Sequence, residues 1–251
     1  MPLDIARIRS LRPQNEVHYF ASIGSTMTEA ARLAASGAPH GTVVLADEQT
    51  AGIGRLGRSW LSQTDLGIYC SIVLRLDLAP VCFPIASLLL GLATAEAIQK
   101  STQLACDLRW PNDVLIQERK VAGILTHLAD NAIVAGMGIN VNHSSFPTDL
   151  RTPATSLRIA SGGRIQSREA LITNLLESVD SFCLMLASQG PEAVLRAFCS
   201  ASSYVINRRV VIEENGAKGI TAGLDENGFL LVRSDSGRID KVAAGGVRPD
   251  F

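Results

Sequence analysis

Cysteine is sparse in this chain of 251 residues, and neither sign of charge is in excess. The five cysteines are odd in number, widely spaced and without a Cys-x-x-Cys pair. This pattern argues against a disulfide framework and a zinc site, and it predicts a reducing, cytoplasmic location. Lys plus Arg number 23 against 24 Asp plus Glu, so no global attraction to nucleic acid or to an anionic membrane is expected. Any site for an anion must therefore be local.

The chain also lacks a long uninterrupted hydrophobic run. The most apolar stretch, residues 81–98, contains Pro84, Ser87, Thr94 and Glu96, and it predicts a buried core helix rather than a membrane span. The N-terminal segment has three arginines but no apolar centre, so no secretory signal is predicted. With 47% apolar and 19% charged residues, the chain suits either one large catalytic domain with a small appendix or one large α/β domain.

Hydrophobic patterning predicts both strands and helices up to residue 203. Strands are predicted at residues 17–21, 42–46, 66–74, 106–110, 113–116, 121–126 and 132–136. Helices are predicted at residues 28–33, 81–100, 167–186 and 191–203, with Ser25 as the first N-cap and Gly37 as the first C-terminal stop. Four short strands follow, at residues 209–213, 219–224, 229–234 and 238–243. The glycine-containing turns between them predict a small barrel.

The most informative segment is the loop at residues 49–60, with the sequence QTAGIGRLGRSW. Its three glycines let the backbone approach a ligand closely, while Arg55 and Arg58 supply charge and bidentate hydrogen bonds for phosphate oxygens. It is not a Walker A loop, because no Gly-Lys-Ser/Thr follows, nor a dinucleotide-binding fingerprint, because it opens no predicted helix. The loop predicts a site for a phosphate or an acyl phosphate; the alternative is a flexible surface loop with solvated arginines.

Three further segments combine turn residues with polar side chains: RWPNDVLI at residues 109–116, KVAGIL at 120–125 and GMGINVN at 136–142. Pro111 predicts a turn that presents Asn112 and Asp113 at a sheet edge. Lys120 is either an exposed hairpin residue or a point charge aimed at a carboxylate or phosphate. The last segment suits close approach of a ligand at a strand end. Each segment alone is equally compatible with an ordinary turn.

The order of these segments is more specific than any one of them. With Ser25-Thr26 in front, they resemble the catalytic domain of biotin protein ligases over residues from about 17 to 251. The family pattern reads Ser-Thr-Asn, Gln-x-x-Gly-Arg-Gly-Arg-x-Gly-Arg-x-Trp, Lys-Trp-Pro-Asn-Asp, Lys-x-x-Gly-Ile-Leu and Gly-x-Gly-x-Asn. The resemblance implies an α/β fold of the α+β type, a mixed sheet packed by helices and similar to class II synthetases, in residues 1–204. It implies a small SH3-like β-barrel in residues 205–251.

The resemblance also implies three sets of site residues. The biotin-binding set is Ser25, Thr26, Gln49, Ile53, Gly54, Arg55 and Lys120. The nucleotide-binding set is Arg58, Trp60, Asn112 and Asn140, with Gly138 in the same wall. The catalytic set is Lys120, Arg55 and Asp113. For Asn112 and Asp113 the family offers nucleotide, metal or lysine-orienting contacts, and all three roles stay open.

The implied reaction has two steps. The biotin carboxylate attacks the α-phosphorus of Mg-ATP to give biotinyl-5′-adenylate and pyrophosphate, and a lysine of a biotin carboxyl carrier domain then attacks the mixed anhydride. Arg55, Arg58, Lys120 and Mg²⁺ would neutralise the charge that builds on the phosphoryl oxygens. ATP and biotin are substrates, no tightly bound cofactor is expected, and the metal ligands are not assigned. Either a monomer or a homodimer is compatible with the family.

Three positions depart from the family pattern. Ile53 replaces the first arginine of the loop, Met27 replaces the asparagine after Ser-Thr, and Arg109 replaces lysine before Trp-Pro-Asn-Asp. The change at Ile53 predicts weaker binding of biotin or of the adenylate, the change at Met27 removes one polar contact of the family, and Arg109 keeps the charge. Bifunctional members of the family carry an N-terminal winged helix-turn-helix that represses genes, whereas about 16 residues precede the first predicted strand here. A ligase without a repressor role and without DNA binding is therefore expected.

Two other functions are compatible with parts of this pattern. A lipoate or octanoate protein ligase or transferase would share the catalytic fold, but those enzymes lack the glycine-arginine loop together with Trp-Pro-Asn-Asp. A non-catalytic biotin-binding protein would keep the pocket and lose turnover through Ile53 and Met27. The presence of Arg55 and Lys120 argues against this second alternative.

Overall fold

The larger part of the chain is built on a seven-stranded mixed sheet. The computed structural model describes residues 1–243 and 245–250. The strands of this sheet are β1 (Val17–Phe20), β2 (Val43–Ala46), β3 (Gly67–Leu74), β4 (Asp107–Arg109), β5 (Asp113–Ile116), β6 (Arg119–Ala129) and β7 (Ala132–Asn140). Their order is β1-β2-β3-β7-β6-β5-β4. β1 and β2 are parallel, and the other neighbours are antiparallel.

Helices cover both faces of the sheet. They are α1 (Ile5–Leu11), α2 (Thr26–Ala35), α3 (Phe83–Thr102), α4 (Leu157–Ala160), α5 (Arg168–Gln189) and α6 (Pro191–Ala201). In β2, Val43 and Leu45 join the large core beneath α3 and α5, whereas Val44 joins the smaller core beneath α2. Successive side chains of a strand point to opposite faces, so both faces of this sheet are buried. This explains why the strands are apolar runs rather than alternating patterns.

Two helical segments, Pro80–Thr102 and Arg168–Gln189, are long and apolar enough to cross a membrane by length and composition alone. In this structure, however, α3 and α5 pack into the large core. The buried hydroxyl groups of α3 have partners: Thr94 donates to the carbonyl of Leu90 at 2.7 Å, and Ser87 donates to the carbonyl of Pro111 at 3.1 Å. The structure therefore agrees with the predicted core helix at residues 81–98.

A second sheet follows the last helix. Its strands are β8 (Ile206–Ile212), β9 (Lys218–Leu224), β10 (Leu230–Arg233), β11 (Ile239–Val242) and β12 (Val247–Pro249), in the antiparallel order β11-β10-β9-β8-β12. Gly216, Gly228 and Gly237 occupy the turns with φ between +72° and +87°, a region that favours glycine. The predicted fold class, a helix-packed mixed sheet followed by a small β unit, is confirmed. The division at residues 204 and 205 stays a prediction.

The two sheets meet at the N-terminal end of α3. The indole N–H of Trp110 donates to the carbonyl of Gly228 at 3.0 Å. A Cβ atom at Gly228 would lie 3.2 Å from side-chain atoms of Ile85 and Leu88, which is tighter than most contacts allow. The β9–β10 turn is thus seated closely on α3, and it brings the second sheet beside the Trp110–Pro111 turn.

Several local predictions were incomplete or wrong. The helices α1 and α4 and the strand β12 were not predicted, because these short elements show little periodicity; α1, for example, buries only Ile8. The strand β7 continues to Asn140, so Gly136 and Gly138 lie inside a strand and not at its end. Asp113 is not at a sheet edge either, because β5 lies between β4 and β6.

Candidate functional site

Two adjoining cavities lie where β5, β6 and β7 meet the loop at residues 49–60. The inner cavity has a volume of about 50 Å³ and includes the N-terminal end of α2 in its wall. The outer cavity has a volume of about 220 Å³ and reaches the second sheet. Both cavities are lined by Gly54, Arg55, Trp60, Asn112 and Lys120. Five residues from three separate segments therefore form the shared wall.

The loop at residues 49–60 is internally hydrogen-bonded. The amide of Gly54 donates to the carbonyl of Arg58 at 2.7 Å, and the amide of Trp60 donates to the carbonyl of Gly52 at 2.9 Å. Gly57 has a φ of +70°, which glycine adopts without strain. These contacts argue against the alternative of a flexible surface loop. They hold the backbone of Gly54 and the side chain of Arg55 at both cavities.

A chain of polar groups closes one end of the inner cavity. The amide and hydroxyl of Thr26 donate to Oε1 of Gln49 at 2.8 and 2.9 Å. The Gln49 amide nitrogen donates to the hydroxyl of Ser62 at 2.9 Å, and the hydroxyl of Ser71 donates to that of Thr26 at 2.8 Å. The sequence analysis missed Ser62 and Ser71, since single serines in a loop and a strand carry no motif.

Ser25 and Met27 flank this polar chain with different roles. The Ser25 hydroxyl accepts a hydrogen bond from the Met27 amide and caps α2, as predicted, but Ser25 is not among the residues that line the inner cavity. Met27 does line it. A Cβ atom at Gly136 would lie 2.7 Å from Sδ of Met27. Glycine at this position of β7 lets the methionine side chain lie directly on the backbone, and a larger residue would displace it.

The charged centre of the shared wall is Asp113. Its two carboxylate oxygens lie 2.5 Å from Nζ of Lys120 and 2.5 Å from the Arg109 guanidinium. The β4–β5 and β5–β6 hairpins bring these three side chains together. Burial opposes ionisation of Asp113, but Lys120 and Arg109 outweigh it and hold the pKa of this carboxyl below its ordinary value. Asp113 is therefore an anion that orients Lys120.

Arg55 connects the loop to both sheets. Its Nη1 donates to the Asn112 side chain at 3.1 Å and to the carbonyl of Gly245 at 3.0 Å. The Asn112 amide group in turn donates to the carbonyl of Ile124 at 2.8 Å. Burial lowers the pKa of the Arg55 guanidinium, partly offset by the charges of Asp113 and Glu213. Arg55 stays a cation, since an arginine side chain is protonated across the physiological range.

The indole of Trp60 lies on two glycines of neighbouring strands. A Cβ atom at Gly138 would lie 2.6 Å from Nε1 of Trp60, and one at Gly123 would lie 3.0 Å from its Cζ3. Nζ of Lys120 lies 5.3 Å from the centre of the Trp60 ring. The buried indole N–H has no hydrogen-bond partner among residues 1–243 and 245–250. Gly123 and Gly138 thus allow the aromatic ring to reach the wall shared by the cavities.

Positive charge dominates the outer cavity. Five cations and two carboxylates line it: Arg55, Arg58, Arg109, Lys120 and Arg151, with Asp113 and Glu213. Glu213 lies 3.8 Å from Arg58, 3.2 Å from Arg151 and 2.5 Å from Arg248. Such an excess suits a ligand with several negative charges. The sequence analysis missed Arg151 and Glu213, because they lie far apart in the chain and in no recognised motif.

The segment that follows β7 closes the outer cavity on one side. Asn140 is buried, and its amide nitrogen donates to the carbonyl of Thr155 at 3.1 Å. The backbone amide of Lys120 donates to the carbonyl of Pro153 at 2.8 Å. These bonds hold Arg151 and Phe146, which both line the cavity, beside the end of β7.

His143 beneath this segment makes folding stability depend on pH. The ring is fully buried and stacks on Phe146 with 5.2 Å between centroids, while neither ring nitrogen has a hydrogen-bond partner in the described part of the chain. Burial lowers the pKa of His143 from 6.5 to about 4. The unfolded chain therefore binds a proton as the pH falls below 6.5 while the folded protein does not, and stability is lost between pH 6.5 and about 4.

We expect His143→Phe, which keeps an aromatic ring against Phe146, to remove this part of the pH dependence. Between pH 7 and pH 4.5 the parent should lose about 2–3 kcal/mol more unfolding free energy than the variant. Urea unfolding at the two pH values measures the difference. Equal losses in both proteins would mean that His143 is not the group that titrates.

No group of three or more His, Cys, Asp or Glu side chains that suits a metal ion occurs within residues 1–243 and 245–250. The two carboxylates at the outer cavity are each paired with cations.

Comparisons with known proteins agree on one protein family. A model of the biotin/lipoate A/B protein ligase family matches residues 19–144. The bifunctional ligase/repressor BirA of Bacillus spizizenii is 35% identical over 86% of this chain and 68% of its own length. A biotin–[acetyl-CoA-carboxylase] ligase of Mycobacterium tuberculosis is 33% identical over 95% and 94%. A solved biotin protein ligase from Aquifex aeolicus in complex with biotin and ATP matches with a TM-score of 0.81 and 30% identity, covering 94% of this chain and 99% of that one.

Proposed function

Because the chain belongs to the biotin/lipoate A/B protein ligase family, we propose that it is a biotin protein ligase. It forms biotinyl-5′-adenylate from biotin and Mg-ATP and transfers the biotinyl group to a lysine of a biotin carboxyl carrier domain. One observation carries this proposal most directly: a small cavity with polar groups at one end and a larger cationic cavity share a wall that contains Arg55 and Lys120. An enzyme that joins an acid to a nucleotide needs such a junction.

The inner cavity is the proposed biotin site. The ureido ring of biotin presents two N–H donors and one carbonyl acceptor, and the hydroxyl of Thr26 and the amide of Gln49 provide both donors and acceptors at this end. Ser62 fixes the orientation of the Gln49 amide, since it accepts a hydrogen bond from Nε2. Ile53 and Met27 supply apolar surface, which suits the thiophane ring and the valeryl chain. Ser25 contributes indirectly, because it caps the helix that begins at Thr26.

The outer cavity is the proposed site for Mg-ATP, and Mg²⁺ enters with the nucleotide as part of the substrate. Arg58 and Arg151 come from different segments of the chain and would contact the β- and γ-phosphates, in exchange for their present partner Glu213. Trp60 and Phe146 supply aromatic surface for the base. Asn140, whose amide bonds the backbone of Thr155, would hold the wall of the nucleotide site in shape.

The shared wall is the proposed catalytic centre. A carboxylate oxygen of biotin attacks the α-phosphorus, the bond from that phosphorus to the bridging oxygen breaks, and pyrophosphate leaves with the electron pair. Lys120 and Arg55 would neutralise the charge that develops on the α-phosphoryl oxygens. Of the three roles open for Asp113, lysine orientation has the best support, since both carboxylate oxygens already bind cations. Asp113 is thus a positioning residue.

The test of this function is ATP–pyrophosphate exchange by the purified chain with Mg²⁺ and either biotin, lipoate or octanoate. We expect exchange with biotin alone, because the polar end of the inner cavity matches a ureido ring and not an aliphatic or dithiolane end. Exchange with lipoate or octanoate instead would assign the chain to the related ligases. Folded protein that exchanges with none of the three acids would be a binding protein without turnover.

A further inference from the structure

A third cavity, with a volume of about 270 Å³, adjoins the other two. We name it the side cavity. It lies between the N-terminal end of α3, the Trp110–Pro111 turn, β6 and the second sheet, with Phe83, Thr126 and Phe229 in its wall. It shares Arg55, Ile124 and Leu125 with the inner cavity and Arg55, Trp110 and Pro111 with the outer cavity. Arg55, which lines all three cavities, marks the point where they meet.

The side cavity differs in chemistry from its neighbours. Its wall is mostly aromatic, aliphatic or proline, and the described lining residues include no carboxylate. Its polar groups are largely engaged, because Ser87 donates to the carbonyl of Pro111 and Arg55 bonds Asn112 and Gly245. An ammonium group entering this space would lose hydration and would meet the charge of Arg55. Both effects favour the neutral form of an amine.

The side cavity also opens toward the part of β6 that β5 leaves unpaired. The strand β5 pairs with β6 only as far as Gly123. Next to it, the backbone amide of Ile124 donates to the carbonyl of Asn112, and the side-chain amide of Asn112 donates to the carbonyl of Ile124. From residue 125 to the end of β6, no pairing with β5 covers the strand. Thr126 lies on this stretch and lines the cavity. A side chain from another protein therefore has an approach to Arg55 that passes neither through the inner nor through the outer cavity.

We propose that the side cavity admits the side chain of the acceptor lysine in the transfer step. This inference rests on the proposed function, which assigns the other two cavities to biotin and to the nucleotide. The four methylene groups of lysine match the apolar wall, and the neutral amine attacks the acyl carbon near Arg55. The C–N bond forms, the bond from the acyl carbon to the phosphate oxygen breaks, and AMP leaves with the electron pair. The proton released from nitrogen passes to solvent.

Filling the side cavity with a larger side chain should slow the transfer of biotin but not the formation of the adenylate. The variant Thr126→Val should transfer biotin to a carrier domain near the parental rate. In Thr126→Leu the transfer rate should fall severalfold, and in Thr126→Phe it should fall at least about tenfold. Biotin-dependent pyrophosphate exchange should stay within about twofold throughout, because Thr126 lines neither the inner nor the outer cavity. Hydroxylamine, a small neutral nucleophile, should still trap the adenylate as the hydroxamate in every variant.

His127→Phe is the matched control, since this exposed neighbour on β6 lines none of the three cavities. It should transfer biotin at the parental rate. Parental transfer by Thr126→Phe, or an equal loss in His127→Phe, would overturn the lysine route. Absence of exchange in the parent protein would instead contradict the proposed function itself, so the two failures are distinguishable. The valine and leucine variants keep the test valid if the phenylalanine variant does not fold.

Discussion

Lys120→Ala is expected to lower the rate of biotin-dependent ATP–pyrophosphate exchange by about 10²–10³-fold. Nζ of Lys120 lies at the wall between the two substrate cavities, 2.5 Å from Asp113 and 5.3 Å from the centre of the Trp60 ring. A preorganised cation that meets charge developing in the transition state contributes several kcal/mol in a site sheltered from water. Initial rates at saturating biotin and ATP measure the loss.

Two controls define what the Lys120 result means. Lys100→Ala removes an exposed lysine of α3 that pairs with Glu96 at 3.5 Å, and it should leave exchange unchanged. Lys120→Arg keeps the charge but replaces a compact ammonium by a larger planar group, so it should restore only part of the rate. An alanine variant within about tenfold of the parent would remove Lys120 from the catalytic centre.

Asp113→Ala is expected to reduce the free energy of unfolding by about 3–5 kcal/mol. The Asp113 side chain is 14% exposed and bridges Lys120 to Arg109, whose side chain is 8% exposed. Removing the carboxylate leaves two partly buried cations next to each other without a counter-charge. Breaking a buried ion pair from one side is costly for this reason. Urea unfolding at pH 7 measures the change.

An exposed ion pair provides the comparison. In the pair of Arg238 and Asp240 the side chains are 77% and 41% exposed, so Asp240→Ala should change stability by less than about 1 kcal/mol. If Asp113→Ala is as mild as Asp240→Ala, the carboxylate does not hold the two cations. The folded pKa of Asp113 is depressed, so its stabilising effect should be present at neutral pH and lost as the pH falls below about 4.

Periodicity predicted the elements of the two sheets well where the apolar runs were long. The predicted strand at residues 66–74 and helix at residues 81–100 match β3 and α3 closely, because both are buried along most of their length. Short elements such as α1 and β12 were missed, since their position depends on contacts with distant residues rather than on their own pattern. The β7 boundary was wrong because glycine weakens the strand signal, whereas backbone pairing with β3 and β6 on its two sides extends the strand.

The residues of the site also divide into those that the sequence predicted and those that it did not. The glycine-arginine loop, Asp113 and Lys120 lie in segments with their own turn chemistry and charge, and the hairpins β4–β5 and β5–β6 need only local pairing to bring Asp113 and Lys120 together. Ser62, Ser71, Arg151 and Glu213 had no such signal. Ser62 and Ser71 hydrogen-bond residues of the inner cavity, and Arg151 and Glu213 line the outer one, through loops and strands that are adjacent only in the folded chain.

The sequence by itself determined the family resemblance, most of the strands and helices and the chemical type of the ligands, because these depend on residue types at short, regular spacings. Only the tertiary structure decided which partner each charge takes. Asp113 forms ion pairs with Lys120 and Arg109. Glu213, which follows β8, forms ion pairs with arginines from three segments of the chain. Electrostatic energy depends on distance and burial, and neither can be obtained from the order of residues along the chain.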